Sequence, residues 1–258
     1  MIDNFPVIDN FLQFKEGTFY KFELLVRNTD GNNVLYQDGF SNTNKNILVK
    51  SWYIDSESYY EKIKHEMVTL ANLTGARLYV TLDRKDNVKL MGNLLHSITD
   101  TLVNSYKGNI PAIKSIIKIM ASETSKVENS CKDTKTTMFD VDTTDTEIVD
   151  LVKGYIEHNK QTPYILKTKK GYHIFCFKKF NHSDWLDEMT CAYVRDKENE
   201  LSQGEYLDSF QVYEYREYIS DRVSVKENEL GLVYHPMKNE DRVMEMIKEA
   251  FENRPVVE

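Results

Sequence analysis

The chain has 258 residues, with 41% apolar and 29% charged side chains and a formal net charge of −8. That length supports one large domain or two small ones around a substantial core. No apolar run approaches the roughly 18 residues that cross a bilayer, and Met1-Ile2-Asp3-Asn4-Phe5 has neither basic flank nor apolar stretch, so no membrane and a cytoplasmic location are expected.

In chain order, Phe22–Val26 and Ile47–Tyr53 read as strands separated by a Gly/Asn-rich turn around Asp30-Gly31-Asn32-Asn33. Residues 57–73 have helical spacing, with Tyr60, Ile63, Met67 and Leu70 on one face. Arg77–Leu82 is the next strand. Asp86–Tyr106 reads as a long helix with Met91, Leu94, Leu95, Ile98 and Leu102 along one side, and Pro111 suits the first turn of a further helix carrying Ile113, Ile116, Ile117 and Met120. Residues 122–137 are polar and predict a linker or mobile loop between an N-terminal module, 1–121, and a second module, 138–258.

A short apolar strand then ends in Asp140-Val141-Asp142. Thr144 and Glu147 form a capping-box pattern for a helix with Ile148, Leu151, Val152, Tyr155 and Ile156 inward. Tyr164–Leu166 and His173–Phe177 predict a hairpin joined by a Lys/Gly turn. Phe210–Tyr218 predicts another strand, and Asp241–Phe251 a terminal helix. The β-α-β-β order of the second half predicts an open sheet with helices on one side, as in RRM-like α+β folds.

Two segments carry chemistry. Residues two apart on a strand share a face, so Asp140 and Asp142 offer paired carboxylates to hard cations such as magnesium. They also suit a plain solvated turn feeding a helix N-terminus, where anions are favoured. In Lys169-Lys170-Gly171-Tyr172-His173 the glycine permits close backbone approach, the lysines supply charge for phosphate, and the imidazole can donate to a phosphate oxygen. An ordinary Lys-Lys-Gly hairpin turn is the competing reading. Between His158 and Ser183 there is no acidic residue, whereas Lys160, Lys167, Lys169, Lys170, Lys178 and Lys179 all fall there. An acidic chain with one basic strip suits an enzyme handling a nucleotide or a short strand better than a non-specific duplex binder. Tyr206, Tyr213, Tyr215 and Tyr218 could stack bases but read better as sheet-packing residues.

In order and spacing these motifs resemble those of the archaeo-eukaryotic primase superfamily, which includes the primase-polymerases. Phe139-Asp140-Val141-Asp142 is similar to the family's acidic strand motif, and Gly171-Tyr172-His173 to its small-x-His motif. Ile219-Ser220-Asp221, followed by Leu232-Val233-Tyr234-His235-Pro236, is the best match to the final acidic motif, with Asp208 as the fallback. The resemblance spans about residues 77–236. It implies an RRM-like catalytic sheet backed by an N-terminal α/β module, and template-directed nucleotidyl transfer from NTP or dNTP to a 3′-hydroxyl on single-stranded DNA. It further implies that Asp140, Asp142 and Asp221 hold two divalent ions, Mg2+ or Mn2+, while His173, Gly171, Lys167, Lys169 and Lys170 hold the triphosphate. Many relatives carry a zinc module, but Cys131, Cys176, Cys191 and His182 lack paired ligand spacing, so no zinc is expected; three cysteines also cannot pair completely, which fits a reducing compartment. A fused helicase is absent, so a separate helicase or other replication protein is the expected partner, and a phage or plasmid replication system would suit a chain of this kind.

Two alternatives stand beside this expectation. A metal-dependent nuclease could use Asp140, Asp142 and Lys167, although Ile165-Leu166-Lys167 lacks the acid that a Glu-x-Lys strand supplies. A non-catalytic nucleotide- or nucleic-acid-binding module is the other.

Overall fold

Two antiparallel sheets and seven described helices make a mixed α+β fold. The computed structural model describes residues 1–27, 46–106, 112–134, 136–178, 180, 184–201, 205, 207–226 and 230–236. The Gly/Asn turn at 30–33, Pro111, His182, Tyr206 and the terminal helix expected at 241–251 lie outside them.

The first sheet contains β1 (Ile2–Asp3), β2 (Thr18–Val26), β3 (Ile47–Ile54), β4 (Arg77–Thr81) and β10 (Leu230–His235), in the order β1-β10-β4-β2-β3, with β5 (Lys85–Asp86) on β2. Its apolar face, including Tyr20, Phe22, Leu24, Leu78 and Val80, packs on α1 (Phe5–Phe11) and α2 (Glu57–Thr74). Tyr60, Ile63 and Met67 recur at helical spacing on α2 and are buried, while Leu70 is half-buried. Gly75 ends α2 at φ 64°, the left-handed conformation that glycine adopts without strain.

The second sheet has the order β7-β8-β6-β9, from β6 (Thr137–Val141), β7 (Tyr164–Lys167), β8 (Tyr172–Cys176) and β9 (Val223–Lys226). With α5 (Thr146–His158) between β6 and β7, and α6 (Trp185–Glu200) and α7 (Ser209–Ser220) between β8 and β9, this is a split β-α-β arrangement. Phe139, Val141, Ile174, Cys176 and Val223 face those helices and form the second core. The opposite face is shared: Met138, Leu166 and Phe175 join the first core. Phe11 marks that junction, its ring centroid 6.3 Å from Tyr20 of the first sheet and 5.3 Å from Phe175 of the second.

Five expectations need correction. Phe210–Tyr218 lies within a helix, because Asp208 and Gln211 close a capping box that outweighs the aromatic content. The cap of α5 is Asp145, which accepts from Glu147 N–H at 3.0 Å, one residue beyond Thr144. The described residues of the 122–137 segment are built rather than loose. They complete α4 (Ala112–Ser125), form two short 3-10 turns, and lock onto α3 (Asn87–Tyr106) through Asn93 to Asn129 and Ser97 to Glu123, both at 2.7 Å. β10 follows the second sheet in sequence but pairs with β4 of the first, so the module boundary is interleaved. The apolar side expected along α3 also stays largely outside the core, since Met91, Leu95 and Leu102 are exposed.

Candidate nucleotide and metal site

The shared face of the second sheet changes character along its strands. On β6, Met138 is in the core, Asp140 is largely buried and Asp142 is exposed. Asp142 extends the ladder past Val141 by donating its N–H to the Arg222 carbonyl at 2.9 Å, so the period-two alternation keeps it on the side of Asp140. On β8, Phe175 pairs with Met138 and His173 with Asp140. On β9, Lys226 pairs with Met138 and Ser224 with Asp140. An apolar layer thus opens into a row containing Asp140, His173 and Ser224, into which Lys226 reaches from the Met138 position.

The Asp140 carboxylate has a cationic or polar neighbour at each oxygen. His173 Nε2 lies 3.4 Å from Oδ1, and Lys226 Nζ forms an ion pair with Oδ2. Hydrogen bonding from His173, reinforced by Lys226 and opposed by burial, lowers the Asp140 pKa to about 2. Asp140 is therefore ionised across the physiological range. The other His173 nitrogen, Nδ1, is buried and has no hydrogen-bond partner among the described residues.

Gly171 brings the Lys169-Lys170 turn against the end of β6. A Cβ there would lie 1.9 Å from the Val141 carbonyl oxygen and 2.8 Å from both the nitrogen and the oxygen of Thr143. The glycine thus permits a close approach of two backbones within the protein, where the sequence suggests an approach to a ligand. Thr168 closes the same turn: its Oγ1 accepts from Gly171 N–H at 3.1 Å, and its N–H donates to the Gly171 carbonyl at 2.9 Å. Lys167, Lys169 and Lys170 are exposed beside this junction.

Asp221 is not gathered with the other two carboxylates. It is the C-cap of α7, with helical φ −71° and ψ −21°, two residues ahead of β9. The described residues contain no group of three His, Cys, Asp or Glu side chains placed to grip one ion. Asp208 is the N-cap of α7, its carboxylate accepting from Phe210 N–H at 2.9 Å and Gln211 N–H at 2.8 Å. On β9 the face of Asp140 carries Ser224 and Lys226 instead of an acid. Asp140 and Asp142 are the hard oxygen donors that would take a divalent ion, and among the described residues no third acid is grouped with them.

Lys226 is the residue that sequence reasoning missed. Its signal was the alternation Val223-Ser224-Val225-Lys226, which puts the two polar residues on one face of a strand. Of the remaining candidates, Tyr215 and Tyr218 pack against Tyr193, whereas Tyr213 is exposed. Trp52 is buried in the first core; Tyr53 is on the other face of β3 and contacts the Phe19 ring at 5.7 Å. Cys131, Cys176 and Cys191 are unbridged, and no described helix is long and apolar enough to cross a membrane. Set against known proteins, the chain matches no family model, no curated protein and no solved structure.

Proposed function

We propose that the chain is a primase-polymerase-like nucleotidyltransferase, adding a nucleotide from NTP or dNTP to a 3′-hydroxyl on a single-stranded DNA template. The observation that carries this reading is the placement of Asp140, Asp142 and His173 on the face of a split β-α-β sheet opposite its own three helices, with the Lys169-Lys170 turn packed alongside. Asp140 and Asp142 would hold a divalent ion, Mg2+ or Mn2+, which when bound favours deprotonation of the attacking hydroxyl and neutralises phosphate charge. Lys167, Lys169 and Lys170 supply exposed positive charge that draws the triphosphate toward Asp142. His173 orients the Asp140 carboxylate through Nε2 and keeps it ionised.

A second reading, a module that binds nucleotide or nucleic acid without turnover, is favoured by one feature: both Asp140 oxygens are engaged from within the protein and β9 contributes no third acid. Labelled-nucleotide incorporation on single-stranded DNA, primed and unprimed, in Mg2+ or Mn2+, tests the first reading. Product that disappears in the Asp140→Ala/Asp142→Ala double variant supports nucleotidyl transfer. Nucleotide binding without product supports the second reading, and shortening of the template would point to a nuclease.

A further inference from the structure

We infer that Lys226 is a positioning residue whose ammonium competes with a divalent cation for the Asp140 carboxylate. The inference rests on the reading of Asp140 and Asp142 as ion ligands and concerns how that site is loaded. Lys226 stands on β9 opposite Met138, and reaches diagonally across the ladder to Oδ2 of Asp140 on the same face. The Asp140 side chain is 12% exposed, whereas that of Lys226 is 39% exposed. The carboxylate is thus fixed in place, and the ammonium is on a long stem with solvent on one side.

Asp142, two residues along, is exposed and has no side-chain partner among the described residues. It offers oxygens to an ion from solvent, but an ion bridging Asp142 to Asp140 also needs an Asp140 oxygen, and Lys226 holds Oδ2. His173 covers Oδ1. Two cations cannot share Oδ2 at contact distance without strong mutual repulsion, so ion entry requires Lys226 to leave. Until then the ammonium holds the Asp140 carboxylate in place.

The test is Mn2+ binding to the full chain without nucleotide, read from the electron paramagnetic resonance signal of free Mn2+, for the wild type and for Lys226→Met, Lys226→Arg and Asp142→Asn. Removing the competitor tightens Mn2+ binding by about twofold to fivefold, the range expected for a partly exposed ion pair. Lys226→Arg keeps wild-type affinity, and Asp142→Asn loses the tight site. Far-ultraviolet circular dichroism verifies the fold of each variant, and Lys226→Gln serves if the methionine variant does not fold. Asp142-dependent Mn2+ binding that is unchanged or weaker in the folded Lys226 variants overturns the inference while leaving the ion-ligand reading intact. Absence of Asp142-dependent Mn2+ binding in every protein overturns both.

Discussion

Asn4 and Lys167, 163 positions apart, are joined by a reciprocal pair of hydrogen bonds: Asn4 Nδ2 donates to the Lys167 carbonyl at 2.9 Å, and Lys167 N–H donates to Asn4 Oδ1 at 2.9 Å. A second Nδ2 bond reaches the Leu232 carbonyl at 2.8 Å. One buried amide therefore completes the edge of β7 in the second sheet while holding β10 of the first. It also fixes the strand that leads into the lysine turn at the candidate site.

Asn4→Ala should lower stability by about 3 kcal/mol, since it removes these bonds and leaves buried backbone groups unpaired. Urea unfolding checks the size. Loss of less than about 1 kcal/mol, within the net worth of one ordinary hydrogen bond, would show that water replaces the amide without penalty.

Gly171→Ala should cost about 3 kcal/mol, because the new methyl meets backbone atoms of Val141 and Thr143 that cannot rotate aside. The same clash separates the lysine turn from β6, so Mn2+ affinity at Asp142 should change along with the denaturation midpoint.

The Asp140 pKa gives a pH dependence of defined sign. Its folded value, about 2, lies below the ordinary carboxylate value, so its stabilising contribution is complete above the unfolded pKa and disappears as pH falls through the folded one. The stability gap between wild type and Asp140→Asn should accordingly shrink between about pH 5 and about pH 2. A gap that stays constant over that window would mean that the carboxylate gains nothing from His173 and Lys226.

Lys85 gives a dependence of the same sign from the opposite cause, a charged form that burial disfavours. Burial pushes its pKa down to about 8, although Nζ donates to the Lys126 carbonyl at 3.0 Å and to Ser130 Oγ at 2.8 Å. Above that value the unfolded chain retains a proton that the folded chain has released, so this group's contribution to stability rises with pH up to the unfolded lysine value, about 10.4. The stability of Lys85→Met relative to wild type should be most favourable near pH 7 and should decline toward pH 10, as thermal denaturation across that range will show.

Periodicity made much of the second module legible. The apolar run before Asp140, the helix after it and the hairpin to His173 all occupy their expected places, because each buries one face in agreement with its local spacing. Less legible were features decided at a distance. The aromatic run from Phe210 to Tyr218 has strand-like composition, and only the Asp208–Gln211 pair marks it as a helix start. The segment at 122–137 looks like linker by polarity, yet Asn129 and Ser130 are buried through hydrogen bonds to Glu123 and Lys85. At the site, Asp140, Asp142 and His173 could be placed on one surface from strand alternation alone. The displacement of Asp221 onto a helix cap, and the arrival of Lys226 in the row beside Asp140, depend on where α7 stops.

The position of β10 between β1 and β4 has a consequence for how the chain is made. A ribosome releases the whole of residues 137–226 before it releases the strand that fills the middle of the other sheet. The second sheet can therefore close while the first still has β4 open along one edge, awaiting a partner synthesised about 150 residues later. During that interval the Asp140 row is formed while the first sheet, whose core Met138, Leu166 and Phe175 share, still lacks β10.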